Sequence, residues 1–92
     1  MANSPYIAGT VSVGSTATLL CSPAASSGGV LVQNGSTAIF LGGPGVTSSG
    51  ASQGLSVAAN ATVTVPTVGY AVHDLWAVTA SGSSSVSFLF PS

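Results

Sequence analysis

Ninety-two residues with 46% hydrophobic side chains, no Lys, no Arg, one acid and one His give a net charge of −1 and a charged share of 1%, against about 25% in an ordinary globular domain. That length holds one domain with a thin core, and so high an apolar share separates the chain from disordered sequences, which are poor in apolar residues and rich in net charge. With no cation, nothing is available to neutralise nucleic-acid phosphates or to bind an anionic membrane surface; the longest apolar runs, Ala38 to Leu41 and Leu75 to Val78, fall far below the roughly 20 residues of a spanning helix.

What fills the chain is small. Seventeen Ser and 9 Thr beside 13 Ala and 12 Val put hydroxyls where charges usually sit and favour strands and turns over helix. Residues 1–9 read as an N-terminal arm in which the basic and apolar regions of a signal peptide are not visible, and the unpaired Cys21, where a small secreted domain would carry paired cysteines, favours synthesis inside the cell. Thr10-Val11-Ser12-Val13 then alternates cleanly, and Ser15 to Cys21 resumes after a bend or hairpin at Gly14-Ser15, closed by Pro23. Residues 22–29 form a small-residue loop. Gly29 to Gln33 and Thr37 to Leu41 flank Asn34-Gly35, a pair that accepts the positive φ of a type I′ turn and so predicts a hairpin. A long Gly- and Ser-rich loop follows over 42–54. Leu55-Ser56-Val57 and Thr62 to Val65 predict a second hairpin around Ala58-Ala59-Asn60, and Asp74 to Val78 with Val86 to Phe90 a third around Ser81 to Ser84. The whole reads as a single all-β domain over 1–92, a compact β-sandwich or small barrel of about eight short antiparallel strands.

Few residues offer chemistry. Gly50-Ala51-Ser52-Gln53-Gly54 matches the nucleophile-elbow pattern G-x-S-x-G, but no strand is expected before it and no helix after it, and His73 precedes Asp74 where that fold needs the reverse order. Adjacent strand residues also point to opposite faces, so this pair is ill-placed to build an acid-oriented base. One Cys, one His and one Asp cannot make a metal site within one chain. Cys21 reads as a small buried hydrophobe, since no cation is present to lower its pKa. No enzyme activity, metal or cofactor is expected. Asn34-Gly35-Ser36 and Asn60-Ala61-Thr62 match the glycosylation sequon but read as turns. Tyr6, Tyr70 and Trp76 have the rings of a sugar platform, and Phe88 and Phe90 share a strand face with Val86, as core or subunit contacts.

An uncharged sheet protein has no Lys to protect its edges, so those edges are expected to pair with other copies of the chain or with a larger assembly. The series Val30-Leu31-Val32-Gln33-Asn34-Gly35-Ser36, Ala38-Ile39-Phe40-Leu41-Gly42-Gly43, Val46-Thr47-Ser48-Ser49-Gly50, Gly54-Leu55-Ser56-Val57 and Asp74-Leu75-Trp76-Ala77-Val78-Thr79-Ala80-Ser81-Gly82 resembles a small β domain of tailed-bacteriophage virion proteins, of the head-decoration or fibre type. The chain departs from that family in having almost no charge. The resemblance implies a virion structural protein made in the host cytoplasm, most simply a decoration protein on the outer face of the capsid. Its partners would be the major capsid protein and itself, as a homo-oligomer, with a trimer the expected form. Contacts are expected at Tyr6, Ile7, Val46, Tyr70, Trp76, Phe88 and Phe90. The alternative is a tail- or fibre-associated domain that binds host glycans through Tyr70 and Trp76.

Overall fold

The computed structural model describes residues 5–23, 28–67 and 72–91. Eight strands follow in chain order: β1 (Tyr6–Val13), β2 (Thr18–Cys21), β3 (Gly29–Gln33), β4 (Ile39–Gly42), β5 (Leu55–Val57), β6 (Thr62–Pro66), β7 (Leu75–Thr79) and β8 (Ser84–Pro91). They form two four-stranded antiparallel sheets, β1-β8-β3-β6 and β2-β7-β4-β5. Four pairs are nested, β4 with β5 innermost, then β3 with β6, β2 with β7 and β1 with β8 outermost. Wrapping that long double ribbon on itself adds the β3–β8 and β4–β7 ladders. This is the strand order of an eight-stranded jelly roll, the double-sheet form of the all-β sandwich.

Nearly every connection therefore changes sheets, and this corrects the hairpins expected from sequence. Asn34-Gly35 carries the chain from β3 in the first sheet to β4 in the second; residues 58–61 carry it from β5 back to β6, and residues 80–83 from β7 to β8. Gly14-Ser15 is likewise a bend between sheets. Strands that follow one another directly pair only at β4–β5, across residues 43–54. The N-terminal arm is also shorter than expected, since Tyr6 to Gly9 belong to β1 and pair with Phe88 to Pro91.

Period-two alternation does set the core. Val13, Val86 and Phe90 from the first sheet's outer pair, Val30 and Val32 from β3, and Leu20, Cys21, Ile39, Leu41, Val57, Leu75 and Ala77 from the second sheet meet between the layers. Seven of the twelve are Val or smaller, so the core is thin and its closure depends on the crossovers at one end. There Asn34, 4% exposed, works as a buckle. Its Nδ2 donates to the carbonyls of Thr37 (2.9 Å), Val57 (3.1 Å) and Ala58 (3.1 Å), while Oδ1 accepts from Gly35 N (2.8 Å) and Ser84 Oγ (2.8 Å). Gly35 is needed for close approach, since a side chain would strike Ser85 O and Ser84 Oγ. Its φ is not in the positive region, so no type I′ turn exists here.

Candidate interaction surface

The opposite end of the sandwich is built differently. It gathers the start of β1, the end of β8, residues 22–23, the loop 43–54 and residues 72–74, and will be called the loop end. Among the described residues, the exposed large hydrophobics Tyr6, Ile7, Leu19, Leu31, Leu55, Val72 and Leu89 sit in the central or loop-end portions of their strands, or in the loop before β7. Residues 14–17, 34–38, 58–61 and 80–83 at the buckled end are small or polar. Among the described residues the large exposed hydrophobics thus lie towards one end, which also carries Asp74, while the other end is small and polar.

Strand geometry explains why these side chains are uncovered. Ile7 lies opposite Phe90, a core residue, and so faces inward, yet it is 43% exposed because the eight-residue β1–β8 ribbon runs beyond the four-residue β2 beneath it. Tyr6, on the other face, is 70% exposed. Leu31 and Leu89 form a cross-strand pair on the outside of the first sheet. Beyond that pair, the same face is a hydroxyl and amide array, with Thr10 opposite Ser87 (Oγ1 to Oγ 3.1 Å) and Gln33 between Ser87 and Thr62. The outside of the second sheet is apolar instead: Leu19 is opposite Trp76 and Phe40 opposite Val78.

Loop 43–54 is folded on itself. Val46 N donates to Gly43 O (3.0 Å), Thr47 N to Ser52 O (3.0 Å), Gly54 N to Thr47 O (3.1 Å) and Thr47 Oγ1 to Ser49 O (2.8 Å), with Gly50 at φ 83°. Val46, 7% exposed, is the loop's anchor, lodged against Gly42 and Gly54, where side chains would collide with it. An interface contact was expected at Val46; its burial inside its own loop removes it from the surface. Ser52 leads through Gln53 and Gly54 into strand β5, where a nucleophile elbow would need a helix.

The remaining expected contacts divide. Phe90 is buried in the core, and Phe88 is half-buried and stacked on it, with ring centroids 5.9 Å apart at 22°. Trp76 is half-buried, its Nε1 enclosed and without an acceptor among the described residues. Tyr70 lies outside the described residues. The structure thus brings Tyr6 and Ile7 together at one exposed strand end and places Trp76 on the outer face of the second sheet. Sequence reasoning missed Leu19, Phe40, Leu55 and Val72. Alternation marked Leu55 for the same face as Val57, but a position at the first residue of a three-residue strand leaves it 64% exposed.

The titratable groups have structural work. Asp74 Oδ1 accepts from Ser22 Oγ at 2.7 Å and the backbone N–H of His73 donates to Pro23 O at 3.0 Å, which together tie residues 22–23 to residues 73–74. Cys21 is buried as expected, and loss of solvation pushes its thiol up to about 11. Compared with protein-family models, with curated proteins and with solved structures, the chain matches none of them.

Proposed function

We propose that this chain is a non-enzymatic virion structural protein, a capsid decoration protein that binds the outside of a phage head and stabilises it, with the major capsid protein as its partner. The observation that carries the reading is the polarity of the surface. A chain with no Lys or Arg gathers its exposed large hydrophobics towards the loop end and keeps the buckled end small and polar. A free monomer of this kind tends to self-associate, whereas permanent seating in an assembly removes the need for surface charge. Seating then covers these side chains, and each newly covered Leu, Val, Ile or Tyr contributes roughly 1 kcal/mol before association costs. The jelly roll adds weaker support, because that architecture recurs in viral capsid and lectin domains alike and a fold by itself does not fix function.

Glycan binding by a tail or fibre domain has less behind it. The Trp76 ring is half-buried and its N–H is closed off, so no indole donor is available to a sugar hydroxyl. The test of the main reading is to add the purified protein to heads of the phage that encodes it, prepared without the protein. Co-sedimentation that saturates, with a higher disruption temperature of the heads, is expected; heads that neither bind the protein nor gain stability would refute it.

A further inference from the structure

Of the four sheet edges, three are closed to strand pairing. β5 has three residues, β2 has four with an irregular register between Leu19 and Cys21, and β6 ends in Pro66, which lacks an N–H. β1 is the exception. Eight residues, Tyr6-Ile7-Ala8-Gly9-Thr10-Val11-Ser12-Val13, pair one-for-one with β8 without a shift, and the strand carries no Pro and no charge. A long regular edge of this kind presents a row of free backbone donors and acceptors, a template for one more strand.

We propose that the β1 edge is a self-recognition site, at which β1 of a second copy adds antiparallel and joins the two first sheets into one eight-stranded sheet. This rests on the assembly reading above and names the contact between copies. Symmetry narrows the register. Two antiparallel copies of one edge are related by a twofold axis perpendicular to the sheet, which keeps outer face with outer face, so even-numbered residues meet even and odd meet odd. With the axis at Gly9, Ile7 meets Val11 of the second copy, Ala8 meets Thr10 and Tyr6 meets Ser12. Ile7 is the inward-facing residue left 43% exposed, and Val11 is partly buried, so both gain cover. With the axis at Thr10, Ile7 meets Val13, which is 0% exposed and has no further surface to offer. The Gly9 axis is therefore the one that completes the core. A second copy is the fitting occupant because neither strand brings a charge, so pairing incurs no like-charge repulsion. A threefold ring would need a complementary second edge, which β6 and β5 do not provide; the pair is twofold.

Sedimentation equilibrium of the intact chain is the test. The native protein is expected at twice its 8.7 kDa chain mass. Ala8→Lys with Thr10→Lys puts two like-charge pairs directly across the axis on exposed positions and should weaken association about tenfold or more. Thr62→Lys with Thr64→Lys, the same charge on the outer face of β6, should leave the mass doubled. Circular dichroism and a cooperative melt establish that both variants fold. A native protein that is monomeric at millimolar concentration, or a dimer broken by the β6 pair and not by the β1 pair, overturns the proposal. The outcome is separable from the capsid reading: a monomer that still saturates heads refutes the edge alone, and a β1-paired dimer that ignores heads refutes the function alone.

Discussion

Asn34→Gly separates two physical accounts of one residue. If Asn34-Gly35 were a type I′ turn, Gly would serve at either position and the substitution would be close to neutral. In the jelly roll the Asn34 side chain instead ties together three crossovers. Two of its bonds are fully buried, Nδ2 to Val57 O at 3.1 Å and Oδ1 from Ser84 Oγ at 2.8 Å, and three more are partly buried. Removing the side chain leaves the buried carbonyl and hydroxyl without their partner, at about 1–3 kcal/mol each, while water can replace much of the part-buried set. A loss of about 3–4 kcal/mol is expected for Asn34→Gly and for Asn34→Ala, a large share of the 5–15 kcal/mol that holds a domain of this size. At about 4–8 °C per kcal/mol this lowers Tm by roughly 12–32 °C. Ser84→Ala, which leaves Gly35 N on Oδ1, should cost about 1 kcal/mol. Thermal and urea melts at one fixed protein concentration, so that association does not confuse the comparison, provide the measurement. An Asn34→Gly variant melting within about 3 °C of the native protein would refute the buckle and restore the turn.

Other outcomes follow from packing and titration. Gly54→Ala places a methyl group against Leu41 O and Val46 Cγ2 and should cost about 2–3 kcal/mol by chemical denaturation, whereas Gly43→Ala, with nothing within 4 Å, should stay within about 0.5 kcal/mol. Burial raises the Cys21 thiol from 9.0 to about 11, so the folded chain keeps its proton after the unfolded chain has released it. Stability is then fully present below pH 9 and falls as pH rises towards 11, by on the order of 2 kcal/mol, and Cys21→Val should remove that decline from a pH series of denaturant melts. The native thiol should also resist a thiol-specific reagent at pH 8 and react on unfolding.

Apart from the first half of β1, Tyr6 to Gly9, which was read as an arm, the positions of the strands were legible in the sequence because alternation reports a buried face, and Val86, Phe88 and Phe90 fell on one face as their spacing requires. Which strand each one pairs with was not legible. A chain that alternates on both sides of a short turn looks the same whether the second strand lies beside the first or crosses to the facing sheet, and three crossovers were thus read as hairpins. Asn34 shows the same limit from another side: its residue type suits a turn, and only the arrival of β8 and loop 58–61 from distant sequence makes it an internal strut. Val46 misled for a related reason, since an apolar residue in a Gly-rich loop gives no sign that Gly42 and Gly54 leave a socket for it. The apolar loop end was partly visible in Tyr6 and Ile7. Its remainder depends on strand length, for Leu55 shares a face with the core residue Val57 but opens a three-residue strand, and Ile7 lies where β1 runs beyond the shorter β2.

The central claim is that a chain without surface cations spends its life seated on a larger particle. It is tested most directly by quantitative mass spectrometry of intact phage particles purified from the source of the gene. The account predicts that the protein remains through density-gradient purification at a fixed copy number, in constant ratio to the major capsid protein from one preparation to the next. Its absence from particles, or a copy number that falls with each round of washing, would contradict the account.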